Sequence, residues 1–141
     1  MRHILNTIIA ATLLGLAVPR HANAQERQRS IYVNSYCKHP LQILVHHRDR
    51  GNSYHTHAWW TFEAFDESRL SSINVTLQQI EGEPLYYFAE TITRPGVPYQ
   101  VWGGEGLSAV TTTFNGVEYK LRRASLTVNS QGDYELTLTC T

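Results

Sequence analysis

The 141 residues carry 12 Lys and Arg against 12 Asp and Glu, both signs are scattered, and no basic run is longer than Arg122-Arg123. This balance lacks the electrostatic signature of a protein that binds nucleic acid or an anionic membrane. The chain has room for one domain with one real core, and no second domain fits.

The first segment, MRHILNTIIAATLLGLAVPRHANAQ, has a basic residue at Arg2, an apolar run from Ile4 to Val18, and small residues at Ala22-Asn23-Ala24. That order predicts a secretory signal peptide over residues 1–24, cleaved after Ala24, followed by a single β domain over residues 25–141. The apolar run falls short of the roughly 18 to 20 residues that span a bilayer, and Pro19 and Arg20 close it, so no transmembrane anchor is expected after cleavage. The expected location is periplasmic or secreted. Cys37 and Cys140 are the 2 cysteines, and in an exported chain they have one possible pairing, a disulfide.

From Ile31 onward apolar residues recur with period two, and the helical spacing is never sustained. The candidate strands, in chain order, are Ile31 to Cys37, Leu41 to Arg48, Tyr54 to Phe62, Leu70 to Leu77, Leu85 to Ile92, Tyr99 to Trp102, Leu107 to Phe114, Val117 to Arg123, Leu126 to Val128 and Tyr134 to Cys140. Their number and spacing predict an all-β domain, an antiparallel β-sandwich or small barrel with one disulfide.

Two local features sharpen this. In VTTTFNGVEYKL, Asn115-Gly116 suits the positive φ angles of a two-residue type I′ turn, which would pair Phe114 with Val117. Val110, Thr112 and Phe114 would then share a face with Val117, Tyr119 and Leu121. In the first and last strands Cys37 has the parity of Ile31 and Val33, and Cys140 that of Leu136 and Leu138. Both sulfurs therefore point where the apolar side chains point.

The candidate site lies in the second and third strands. Leu41, Ile43 and Val45 face the core, with His47 at that face's edge. On the third strand Ala58, Trp60 and Phe62 form the more apolar set. Unbroken alternation then places His46 opposite His55, with His57 and Trp59 on the same outer face. Directly opposed side chains stand about 5 Å apart at Cβ and next neighbours about 7 Å, so His46, His55 and His57 could close around Zn²⁺ or Cu²⁺ at about 2.0 to 2.1 Å. Asp49 and Glu63 are the nearby carboxylates. The plainer alternative is a polar face with imidazoles beside Trp59.

Nothing marks an enzyme. There is no G-x-S-x-G elbow, and Trp102-Gly103-Gly104-Glu105-Gly106 neither opens a helix nor carries a phosphate-loop lysine. Trp59 and Trp102 are the candidate exposed aromatics, a contact surface for a protein or glycan ligand. These residues favour a noncatalytic binding or interaction module of the bacterial envelope, with a histidine-based periplasmic Zn or Cu protein as the alternative and a zinc-dependent enzyme behind it.

Cys37 after an apolar strand, then AWWTF, then LYYFAE, resembles a small bacterial exported family of unknown function whose members carry a Cys-Asn start, a G-W-W segment and a Y-Y-Y-A segment. The likeness runs from Tyr32 to Glu90. Ala58 stands where that family has glycine, and Asn34 precedes the cysteine rather than following it. The resemblance implies a periplasmic β domain and no assigned reaction.

Overall fold

A computed structural model describes residues 26–94, 97–104 and 110–141. The leader 1–24, Glu105-Gly106, and residues 107–109 of the candidate strand Leu107 to Phe114 lie outside the described residues. The strands are β1 (Gln28–Ser35), β2 (Leu41–His47), β3 (His55–Phe62), β4 (Glu67–Arg69), β5 (Ser71–Ser72), β6 (Val75–Thr76), β7 (Gln78–Ile80), β8 (Tyr86–Thr91), β9 (Val101–Trp102), β10 (Val110–Phe114), β11 (Val117–Arg123), β12 (Leu126–Val128) and β13 (Tyr134–Leu138). Among the described residues no helix is long and apolar enough to cross a membrane.

Two main sheets form. One has the order β12-β13-β1-β4 with β7 also on β1, the other β10-β11-β8-β2-β3 with β9 on β8. Alternation explains what lies between them. Ile31, Val33, Leu136 and Leu138 from the first sheet meet Leu41, Ile43, Val45, Phe62, Tyr87, Ala89 and Trp102 from the second in one buried cluster. All described ladders are antiparallel except β1 with β13, which is parallel. That pairing brings the two strand ends together, so Cys37 and Cys140, separated by 103 residues, form a disulfide with Cα atoms 4.9 Å apart.

The second sheet is buried on its other face as well, because it curls. Thr56 on β3 and Thr112 on β10, at opposite edges of the sheet, share a hydroxyl hydrogen bond of 2.7 Å. Inside the curl Leu44 and Leu121 are fully buried, and Trp59, Phe88 and Tyr119 form an aromatic trio with centroids 5.2 to 6.2 Å apart, Trp59 edge-to-face with each of the other two. The face that the alternation makes wet is thus largely a second apolar interior.

The Asn115-Gly116 hairpin has the register that its turn chemistry dictates, Phe114 against Val117 through Val110 against Leu121, with φ of 48° and 78° at the two turn residues. The candidate strand Leu70 to Leu77 is instead a short hairpin, β5 to β6, whose turn residues Ile73 and Asn74 have φ of 49° and 62°. Leu70 and Leu77 are both buried at its base, where the Leu77 amide donates to the Leu70 carbonyl at 2.8 Å. Residues paired across the two-residue turn share a face, so both leucines point to the core, whereas an unbroken strand would have put positions seven apart on opposite faces.

Candidate metal site

The expected register of β2 and β3 needs correction. His47, not His46, pairs with His55; His46 pairs with Thr56 and Val45 with His57. Between Val45–His57 and Ile43–Trp60 the register shifts, so that Leu44 alone opposes Ala58 and Trp59. This is a β-bulge, and it reverses the parity of everything beyond it. Trp60 and Phe62 face the core as expected, but so do His55 and His57, alongside His47. The peptide joining Ala58 to Trp59 lies within the bulge and is cis.

The structure therefore brings together His47, His55 and His57, one ligand atom from each lying within 4.8 Å of the others. Ring centroids are 4.4 Å apart for His47 and His55, 5.3 Å for His47 and His57, and 5.0 Å for His55 and His57. Tetrahedral coordination at 2.0 to 2.1 Å needs donor atoms about 3.3 Å apart, so roughly 1 to 1.5 Å of closure by side-chain rotation completes a shell.

His46 is elsewhere. It points into the curl, its Nδ1 hydrogen-bonded to Thr56 Oγ1 at 2.9 Å and its ring stacked on Tyr54 at 5.3 Å. Trp59 is half-buried in the aromatic trio, and Trp102 is only 6% exposed and part of the core rather than an exposed aromatic.

The hydrogen bonds of His47 and His55 decide which of their nitrogens are left free. His47 is 1% exposed, and its Nδ1–H donates to the carbonyl oxygen of Gln78 on β7 at 2.7 Å. A carbonyl only accepts, so the Nδ1 proton is fixed and the neutral ring keeps its lone pair on Nε2. That Nε2 is buried and meets no hydrogen-bond donor among the described residues. His55 repeats the arrangement, its Nδ1–H donating to the Ser53 carbonyl at 3.0 Å. Metal-binding histidines are held this way, the far nitrogen anchored on an acceptor and the near one free.

Electrostatics act in the same direction. Burial pushes the His47 imidazole down to about 4, against the opposing pull of its bond to Gln78. Burial, then the neighbouring His55, lowers His57, with Asp49 opposing. Both shifts favour the neutral ring, the form that ligates a metal. Nothing in the sequence pointed to the Gln78 and Ser53 acceptors, because both are backbone groups.

His47 and His57 open with Asp49 into a surface cavity of about 320 Å³, walled by Ser72, Ile73, Val75, Thr76 and Leu77 of the β5 to β6 hairpin. Fold and site together define a disulfide-closed all-β domain carrying a three-histidine cluster at one edge of its core. No protein-family model matches the chain, and no curated protein matches it.

Proposed function

We propose that this chain is an exported, noncatalytic β domain that binds one transition-metal ion, Zn²⁺ or Cu²⁺, through His47, His55 and His57. The observation that carries this reading is the buried Nε2 of His47, without a donor and facing two further imidazoles while Nδ1 is anchored on Gln78. A buried polar atom without a partner carries a desolvation cost of about 1 to 3 kcal/mol, which a metal bond would offset. Export is supported by the leader-like residues 1–24 and by the Cys37–Cys140 bridge, and suits a periplasmic or secreted protein. The other reading, a protein- or glycan-binding face built on Trp59 and Trp102, has less support, since Trp102 is buried and Trp59 is engaged by Phe88 and Tyr119.

The test is calorimetric titration of the oxidised, tag-free protein with Zn²⁺ and Cu²⁺. One equivalent should bind with sub-micromolar affinity. Binding should vanish in His55→Ala with His57→Ala, and in His47→Gln, yet survive in His46→Ala. Absence of binding by the parent protein, or its loss in His46→Ala alone, would overturn the assignment.

A further inference from the structure

Asp49 follows His47 by two residues, at the start of the turn that joins β2 to β3. The turn is closed by the Asn52 amide donating to the Asp49 carbonyl at 3.2 Å, and Gly51 supplies a φ of 79°. Among the described residues, one oxygen of the carboxylate is hydrogen-bonded. Asn52 Nδ2 donates to Oδ1 at 2.6 Å, and the other oxygen, Oδ2, lies 4.0 Å from Nε2 of His55.

Which nitrogen that oxygen faces is informative. A carboxylate that supports a metal-binding histidine from outside bonds the ring's far nitrogen, and ligating carboxylates are themselves tethered by a hydrogen bond to their second oxygen. The far nitrogens of His47 and His55 are already occupied by the carbonyls of Gln78 and Ser53. Asp49 Oδ2 instead stands 4.0 Å from the near nitrogen of His55, outside the compact three-histidine group but on the same cavity as His47 and His57, so a turn of its side chain toward the cavity would bring it to the shell. An inward oxygen with an outward tether is the arrangement of a ligand.

We infer that Asp49 is the fourth ligand of this centre, completing a three-nitrogen, one-oxygen shell that selects a divalent ion such as Zn²⁺ over Cu⁺. This rests on the metal-binding reading above. The donor set supplies the selectivity. Imidazole and carboxylate suit borderline and hard divalent ions, whereas Cu⁺ is chosen by thiolate and thioether sulfur. Both cysteines are tied up in the disulfide, and the single methionine is Met1. With four protein donors the shell is closed, which suits holding an ion rather than activating a water on it.

The experiment compares the oxidised protein with Asp49→Asn, which keeps a carbonyl oxygen for the Asn52 amide, and with Asn52→Ala, which keeps the carboxylate but removes its tether. Zn²⁺ affinity is read by competition with a chromophoric chelator, Cu⁺ affinity likewise under reducing-agent-free anaerobic conditions, and Co²⁺ geometry by its visible absorption. Asp49→Asn should weaken Zn²⁺ by more than the roughly 10 to 100-fold typical of losing an outer support, while Asn52→Ala falls within that range. The intense Co²⁺ bands of a tetrahedral site should collapse in Asp49→Asn, and Cu⁺ affinity should be unchanged. Retention of Zn²⁺ affinity within about tenfold in Asp49→Asn, with an unaltered Co²⁺ spectrum, would place Asp49 outside the shell and leave the three-histidine reading standing. Failure of the parent protein to bind Zn²⁺ would remove that reading itself.

Discussion

His47 donates its Nδ1–H to the carbonyl of Gln78 at 2.7 Å. That bond, from the end of β2 to β7, fixes the tautomer of a buried imidazole and determines which nitrogen is left to react. It also makes His47 a liability in acid. The ring is 1% exposed, so a proton on Nε2 would be a buried charge on an atom without a hydrogen-bond partner among the described residues.

A first prediction follows from the sign of that effect. The folded-state pKa of His47 is about 4, below the ordinary value of 6.5, so the unfolded chain takes up the proton first and stability declines as pH falls from 6.5 toward 4. The shift corresponds to something on the order of 3 kcal/mol lost across that window. Urea unfolding of the metal-free protein at pH 7 and pH 4.5 should show the loss. In His47→Gln, which cannot charge, this part of the slope should be missing. Parallel profiles for the two proteins would mean that His47 does not control acid stability.

Metal should stabilise the fold by mass action. At free Zn²⁺ one hundred times the dissociation constant the gain is about 2.7 kcal/mol, and for a domain of this size it raises Tm by on the order of 10 °C. His57→Ala should show no such rise, while His46→Ala, whose ring is on the opposite face of β2, should keep it. Differential scanning fluorimetry with and without a chelator measures both.

The candidate site was half legible in sequence. His55 and His57 stood out by spacing, and the parity of β2 already put His47 on the core side. Alternation alone then chose His46 as their partner, since it carries no information about the extra residue at Ala58-Trp59 that swaps the faces of β3. Elsewhere the local chemistry was stronger. Asn115-Gly116 fixed its own hairpin, and the parity of Cys37 and Cys140 matched their bridge. The Ile73-Asn74 turn was hidden because a β-branched residue seldom adopts positive φ and so gives no turn signal. The curl of the second sheet had one trace, the apolar residues on both faces of LYYFAETI, but closure through Thr56 and Thr112 joins residues 56 positions apart.

That curl makes Leu44 a discriminating position. It is fully buried on the face of β2 opposite the main core, beside Phe88 in the ladder. Were that face wet, Leu44→Ala would change stability by no more than about 0.5 kcal/mol. Inside a packed curl it should cost about 2 to 5 kcal/mol. Equilibrium urea denaturation separates these, and a loss below about 1 kcal/mol would argue that the sheet opens in solution.

The disulfide should act mainly on the unfolded chain. β1 and β13 already lie side by side through five paired positions, from Ile31–Tyr134 to Ser35–Leu138, so removing the sulfurs leaves the native ladder in place. The closed loop spans 103 residues, and the chain-entropy model assigns such a loop on the order of 4 to 5 kcal/mol. Cys37→Ala with Cys140→Ala should therefore lower the urea midpoint substantially while the folded circular dichroism spectrum stays the same. Freed of the cross-link, the denatured chain exposes more surface, so the denaturant slope m should rise in the variant. A lowered midpoint with an unchanged slope would instead locate the stabilisation in the folded state, in the packing of the buried Cys37 against the core.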